Sequence, residues 1–190
     1  MLQAKQTPEM IQSHPMTPPL PAIALILLLF TRISMAGNVY QEPDAFINAA
    51  FNGKPPATQV LWLNTALKAQ LEAILQHPYT GLRVRYWLEG KRTAWILDEI
   101  GKEKPITTGI IINNNRIEKV RVLVFRESRG WEVGHTFFTQ QFDHAGLDKA
   151  NELDRTIDNI SGATMSVRAV TKLARIALLL NQQVITDGSP

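Results

Sequence analysis

Asp158-Asn159-Ile160-Ser161-Gly162-Ala163-Thr164 places one carboxylate, two hydroxyls and a Gly-Ala pair within seven residues. Directly behind it Val167, Val170, Ala174, Ala177 and Leu178 recur on one side of a helical wheel and Arg168, Lys172 and Arg175 on another, so a helix is expected from about Gly162 or Ala163. The first N–H groups of a helix lack internal partners and carry the positive end of its dipole, which makes that end a stabilising place for a phosphate. Gly162 and Ala163 keep bulky side chains away from such an approach, and the Thr164 hydroxyl is a chemically suitable ester oxygen. A plainer reading stands beside this one: Asp158 or Ser161 caps the helix, and Gly-Ala is only a tight turn into it.

Other candidates are weaker. His135, Asp143 and His144 have no spacing of a standard metal site, so no metal ligands are assigned. Thr164, Ser161 and Ser166 lack the G-x-S-x-G surroundings of an acyl nucleophile. His77 stands at a helix end before Pro78, where a histidine is electrostatically favoured without any function.

The elements that must position the motif are legible in part. Asp44–Phe51 suggests a short helix, broken by Asn52-Gly53-Lys54-Pro55-Pro56, and the spacing of Val60, Leu63, Leu67, Leu71, Ile74 and Leu75 predicts a second from Val60 to Gln76. Leu82–Leu88 and Lys91–Ile100 read as paired strands about Glu89-Gly90. Ile106–Ile112 and Ile117–Phe125 read as a hairpin about Asn113-Asn114-Asn115, because asparagine tolerates positive φ. Val120, Val122 and Val124 alternate with Arg121, Leu123 and Phe125, as in a sheet with one face inside. Residues 135–153 suggest short helices and loops. The expected fold is α+β, an antiparallel sheet packed with a few helices and closed by an amphipathic C-terminal helix after the motif. Trp62, Trp87 and Trp95 are expected in its core.

Composition narrows the function. With 45% hydrophobic and 19% charged residues in 190, the chain is globular rather than disordered. The net charge of +3 comes from cations spread along the chain, which argues against nucleic acid as a partner. Cysteine is absent, which excludes thiolate catalysis, disulfides and Cys-bound clusters. The apolar run Leu20–Phe30, followed by Ser34-Met35-Ala36, has the length of a secretory h-region and a small-residue cleavage site. The expected organisation is a signal peptide or anchor at 1–36, a helical segment at 37–80, and a domain at 81–190 forming one globular unit with it.

The motif as it stands resembles D-x-x-[ST]-G-A-[ST], the flavinylation motif of the FMN-binding domain family. Members of that family occur in the sodium-pumping NADH:quinone reductase and in the Rnf electron-transport complex. The resemblance covers roughly Gly81 to Leu180 and implies FMN held as a phosphoester on Thr164, installed by an FAD:protein FMN transferase, with Asp158, Ser161, Gly162 and Ala163 in the recognition motif. Glu127-Ser128-Arg129-Gly130 is similar to a second family element, with Arg129 where proline is common. This implies that Glu127 and Ser128 lie at the flavin site. Trp131 then stacks on the flavin or is an ordinary core or rim aromatic, and Arg129 is placed to raise the flavin potential. The implied function is an extracytoplasmic electron carrier or redox component of a larger system, more than a stand-alone enzyme, working with periplasmic or membrane redox partners. A redox-sensing or partner-binding module of a membrane-associated system is the alternative.

Overall fold

The computed structural model describes residues 37–187; the apolar run at 20–30 and the small residues at 34–36 lie outside them. Strands β1 (Asn38–Val39), β2 (Gln59–Trp62), β3 (Arg83–Glu89), β4 (Arg92–Ile100), β5 (Pro105–Asn113) and β6 (Arg116–Phe125) form one antiparallel six-stranded sheet in the order β1-β6-β5-β4-β3-β2. The helices are α1 (Pro43–Ala50), α2 (Thr65–Leu75), α3 (Thr136–Thr139) and α4 (Thr164–Asp187), with 3-10 turns at Trp131–Gly134 and Gln140–Phe142. The expected α+β architecture and its closing helix are both present. No helix among the described residues is long and apolar enough to cross a membrane.

Local chemistry accounts for the central hairpins. Asn114 and Asn115 have φ of 51° and 61°, the paired positive values that a two-residue turn between twisted strands demands. Gly90 at φ 59° turns β3 into β4.

The expected helix from Val60 to Gln76 needs correction. Gln59–Trp62 is an edge strand on β3, and the helix begins only at Thr65, after the Asn64 side chain accepts a bond of 2.8 Å from the Leu67 N–H. The apolar spacing of Val60 and Leu63 matched a helix by coincidence, and the cap was the better guide. Residues 37–80, expected to be helical, thus supply both edge strands. Trp62 is correspondingly 65% exposed rather than buried, with the Arg83 guanidinium 5.6 Å from its ring centre, whereas Trp95 is fully buried and stacks on Tyr86.

Both faces of the sheet are covered. Trp95, Leu97, Ile106, Ile110, Ile112, Val120 and Val122 meet α2 and α4, while Ala94, Ile111, Leu123 and Val124 meet Phe46, Ile47 and Ala50 of α1. Gly109 makes the second contact possible, since a Cβ there would stand 2.6 Å from the Phe46 ring. The simple alternation expected of β6 fails at a bulge: Thr107 pairs with Val124 and Thr108 with Val122, so Leu123 is the extra residue. Leu123 and Val124 therefore share the α1 face, and Phe125 returns to the α4 face.

Helix α4, 24 residues and about 36 Å long, is the main ligature of the core. Lys172 Nζ donates to the Leu75 carbonyl at 2.5 Å and lies 3.5 Å from the buried Glu99 carboxylate, whose other neighbour is His77 at 3.1 Å. Further along, Trp95 Nε1 donates to Thr93 Oγ1, Thr93 donates to Asn181 Oδ1, and Asn181 Nδ2 donates to Asn115 Oδ1. Asn181 is wholly buried. Asn181→Ala leaves the Thr93 hydroxyl without its acceptor in the core and is expected to cost about 1–3 kcal/mol, read from the urea midpoint at unchanged slope.

Candidate functional site at the amino end of helix α4

Two loops far apart in sequence meet at the start of α4. The first leaves β6 at Phe125. The Glu127 side chain turns back, and its Oε1 accepts the N–H groups of Lys102, Glu103 and Lys104 at 2.5, 2.7 and 2.9 Å, closing the β4–β5 connection. Partial burial pulls this carboxyl upward, but those three N–H donors and the Lys102 charge outweigh it, so its pKa lies below the usual glutamate range. A depressed carboxyl contributes stability that is complete above the unfolded value of about 4.3 and is lost as pH falls through the lower folded value. In thermal melts, Glu127→Gln is therefore expected to be least stable relative to wild type at neutral pH, with the gap closing towards pH 3. A gap independent of pH would contradict this account.

Gly130 follows at φ 87°, and its position is crowded: a Cβ would fall 2.7 Å from Ser166 Oγ and 3.2 Å from Ala163 Cβ. The Glu127–Gly130 loop thus lies directly against the first turn of α4. Ala163 and Ser166, both buried, form the other side of this contact. Ala163 is small because the loop packs on it.

The second loop arrives from 152–160. Arg116 pairs with Asp154, Arg155 donates to the Asp143 carbonyl at 2.6 Å, and Gln141 Oε1 accepts the Asp158 N–H at 2.7 Å. Ile157 and Ile160 pack on the core. The Ala163 N–H bonds to the Ile160 carbonyl at 2.9 Å across a turn with Gly162 at φ 81°. That turn needs glycine for its sign of φ rather than for space, because nothing lies within 4 Å of a Cβ at Gly162. The helix starts at Thr164, one to two residues later than expected. Neither the Asp158 nor the Ser161 side chain makes a hydrogen bond among the described residues, so neither acts as the cap. Asn159 was not foreseen: its Nδ2 donates to Thr164 Oγ1 at 2.9 Å, holding the hydroxyl across the turn. No property of Asn159 as a residue type distinguished it; only the turn brings it to position 164.

Thr164 stands between two open clefts and lines both. The smaller, of about 490 Å³, is walled by Lys102, Glu103, Glu127, Ser128 and Arg129 on one side and by residues 162–166 on the other. The larger, of about 690 Å³, runs along α4 past Val167, Arg168, Thr171, Lys172 and Arg175, facing Leu153, Arg155, Ile157 and Asn159. Of the residues singled out in the sequence, Glu127, Ser128, Gly162, Ala163 and Thr164 meet at the smaller cleft. Asp158, Ser161 and Trp131 line neither. Trp131 is 49% exposed and lies against His135, with ring centres 4.8 Å apart.

A hydroxyl in the first turn of a long helix, a positive-φ glycine before it and adjoining clefts suit a flavin phosphate ester. The first-turn N–H groups of a helix favour an anion beside that hydroxyl, and both clefts open next to Thr164. Residues 101–179 match the model of the FMN-binding domain family, which supports an FMN-binding protein. No curated protein and no solved structure matches the chain. The matched segment opens at the turn that Glu127 closes and ends within α4.

Proposed function

We propose that the protein carries FMN as a phosphoester on Thr164 and serves as an extracytoplasmic electron carrier, exported by its N-terminal segment and matured by an FAD:protein FMN transferase. The observation that carries this reading is the convergence of the two family elements on one hydroxyl: Gly130 abuts Ala163 and Ser166, and Thr164 opens into the cleft that Glu127 and Ser128 line. Bound flavin supplies reversible electron uptake, and the chain retains, orients and tunes it.

In the attachment step Thr164 Oγ1 forms a bond to the FMN phosphorus of FAD, the pyrophosphate bond breaks, and AMP leaves. The hydroxyl proton passes to a base of the transferase. Asn159 supports this by donating to Oγ1 and setting the side-chain rotamer, which leaves the Thr164 proton free to depart. Gly162 and Ala163 present the N-terminal N–H groups without an intervening side chain, and Lys102 and Arg129 add positive charge around the same cleft. Glu127 acts at one remove, by fixing the turn that carries Lys102.

The test is the intact mass of the exported protein co-expressed with a transferase, with peptide mapping of the modified residue. A gain of FMN less one water, on the peptide containing Thr164, supports the reading. An unmodified chain, under conditions that modify a control substrate, overturns it.

The exposed pair Trp131 and Phe137, 49% and 58% accessible on either side of His135, favours a second reading as a redox-dependent partner-binding module. Electron exchange with a partner at turnover rates favours the carrier. Affinity that changes with redox state, without exchange, favours the sensor.

A further inference from the structure

We infer that the flavin ring carried on Thr164 lies in the larger cleft along α4, and that Arg168 raises its potential by holding the negative charge of the reduced ring. This rests on the covalent attachment proposed above. It departs from the expectation that Arg129, in the smaller cleft, is the cation that raises the flavin potential.

An ester on Thr164 can lead into either cleft, and the two differ in shape and charge. Thr164, Arg168, Thr171 and Arg175 follow one another at intervals of four, three and four residues, with Lys172 four beyond Arg168, so they share one side of α4 and line the larger cleft together. Leu153, Ile157 and Ile74 also line it and provide apolar surface for a flat aromatic ring. The smaller cleft is shorter of apolar lining, and its two cations, Lys102 and Arg129, share it with two carboxylates, Glu103 and Glu127.

The cations of the larger cleft are not equivalent. Arg175 is paired with Glu152 at 2.7 Å and bonds the Asn151 carbonyl, and Arg155 is engaged by Asp154 and the Asp143 carbonyl. Lys172 is held by the Leu75 carbonyl and Glu99. Arg168 alone among them makes no ion pair or hydrogen bond with the described residues, and it lies one helical turn beyond Thr164. It is the cation with its charge uncommitted and closest along the helix to the point of attachment.

Uptake of two electrons and one proton makes the ring one unit more negative, so a nearby uncompensated cation favours the reduced form. The experiment is a dithionite titration of the flavinylated protein at pH 7. Wild type, Arg168→Gln, Arg168→Lys and Arg129→Gln are compared, each confirmed loaded by intact mass. Arg168→Gln is expected to shift the reduced-to-oxidised equilibrium about tenfold towards oxidised, about 30 mV for a two-electron couple. Arg168→Lys should recover most of that shift, and Arg129→Gln should move the potential by much less. A large shift in Arg129→Gln with none in Arg168→Gln places the ring in the smaller cleft and overturns the inference. So does a ring insensitive to both. Absence of the mass gain in wild type is a different failure, that of the attachment itself.

Discussion

Replacing Thr164 with alanine is expected to eliminate covalently bound flavin while leaving the fold nearly untouched. The two effects separate because of where the side chain lies. Thr164 is part-exposed at the mouth of two clefts and, among the described residues, makes a single side-chain hydrogen bond, from Asn159. Losing that bond at a solvated helix end costs about 0.5–1.5 kcal/mol, whereas losing the hydroxyl removes the oxygen proposed to carry the ester. Fluorescence on a denaturing gel should fall to background in Thr164→Ala and persist in Thr164→Ser, with melting temperatures close to wild type in both. Denaturation-resistant flavin in the alanine variant would mean that the attachment is elsewhere.

The second large effect is expected at Gly130. Its φ of 87° lies in the region that disfavours any Cβ by about 1–2 kcal/mol, and here the added carbon also meets Ser166 Oγ at 2.7 Å and Ala163 Cβ at 3.2 Å. Overpacking a contact between a fixed loop and the first turn of a buried helix adds about 1–3 kcal/mol, so Gly130→Ala should lose about 2–5 kcal/mol in all. Gly162 is the natural control, because it has nearly the same φ, 81°, but nothing within 4 Å of the new carbon. Gly162→Ala should cost only the backbone part, about 1–2 kcal/mol. Gly130→Ala should also slow flavin loading, since it pushes the Glu127–Gly130 loop off the attachment corner. Equal destabilisation of the two variants in urea would show that loop and helix do not touch as described.

Much of the fold was legible because its signals are local. Asn114-Asn115 and Gly90 have the conformational freedom that tight turns require, and the strands beside them followed. The spacing of Val167, Val170, Ala174, Ala177 and Leu178 marked the buried side of α4, and every one of these residues is buried. Where a local signal was ambiguous, the reading failed. Val60 and Leu63 fit a helix in spacing, yet pairing with β3 made Gln59–Trp62 an edge strand and left Trp62 exposed. Simple alternation in β6 gave way to a bulge at Leu123, because α1 covers the second face of the sheet there.

At the site, the sequence by itself determined the ingredients of the corner: a hydroxyl at the first turn of an amphipathic helix, preceded by a glycine able to take positive φ. Those properties belong to residues within a few positions of one another, so backbone sterics and helix electrostatics are enough to read them. Only the tertiary structure decided that Glu127 spends its carboxylate on the 102–104 N–H groups and that Gly130 presses on Ala163 and Ser166. It also decided that Asn159 holds the Thr164 hydroxyl and that Trp131 lines neither cleft. Most of these contacts join segments separated by whole strands and loops, and the Asn159 contact depends on the turn that folds the motif back on itself. Close packing sets all of them, and no periodicity along the chain records where the packing will bring two side chains together.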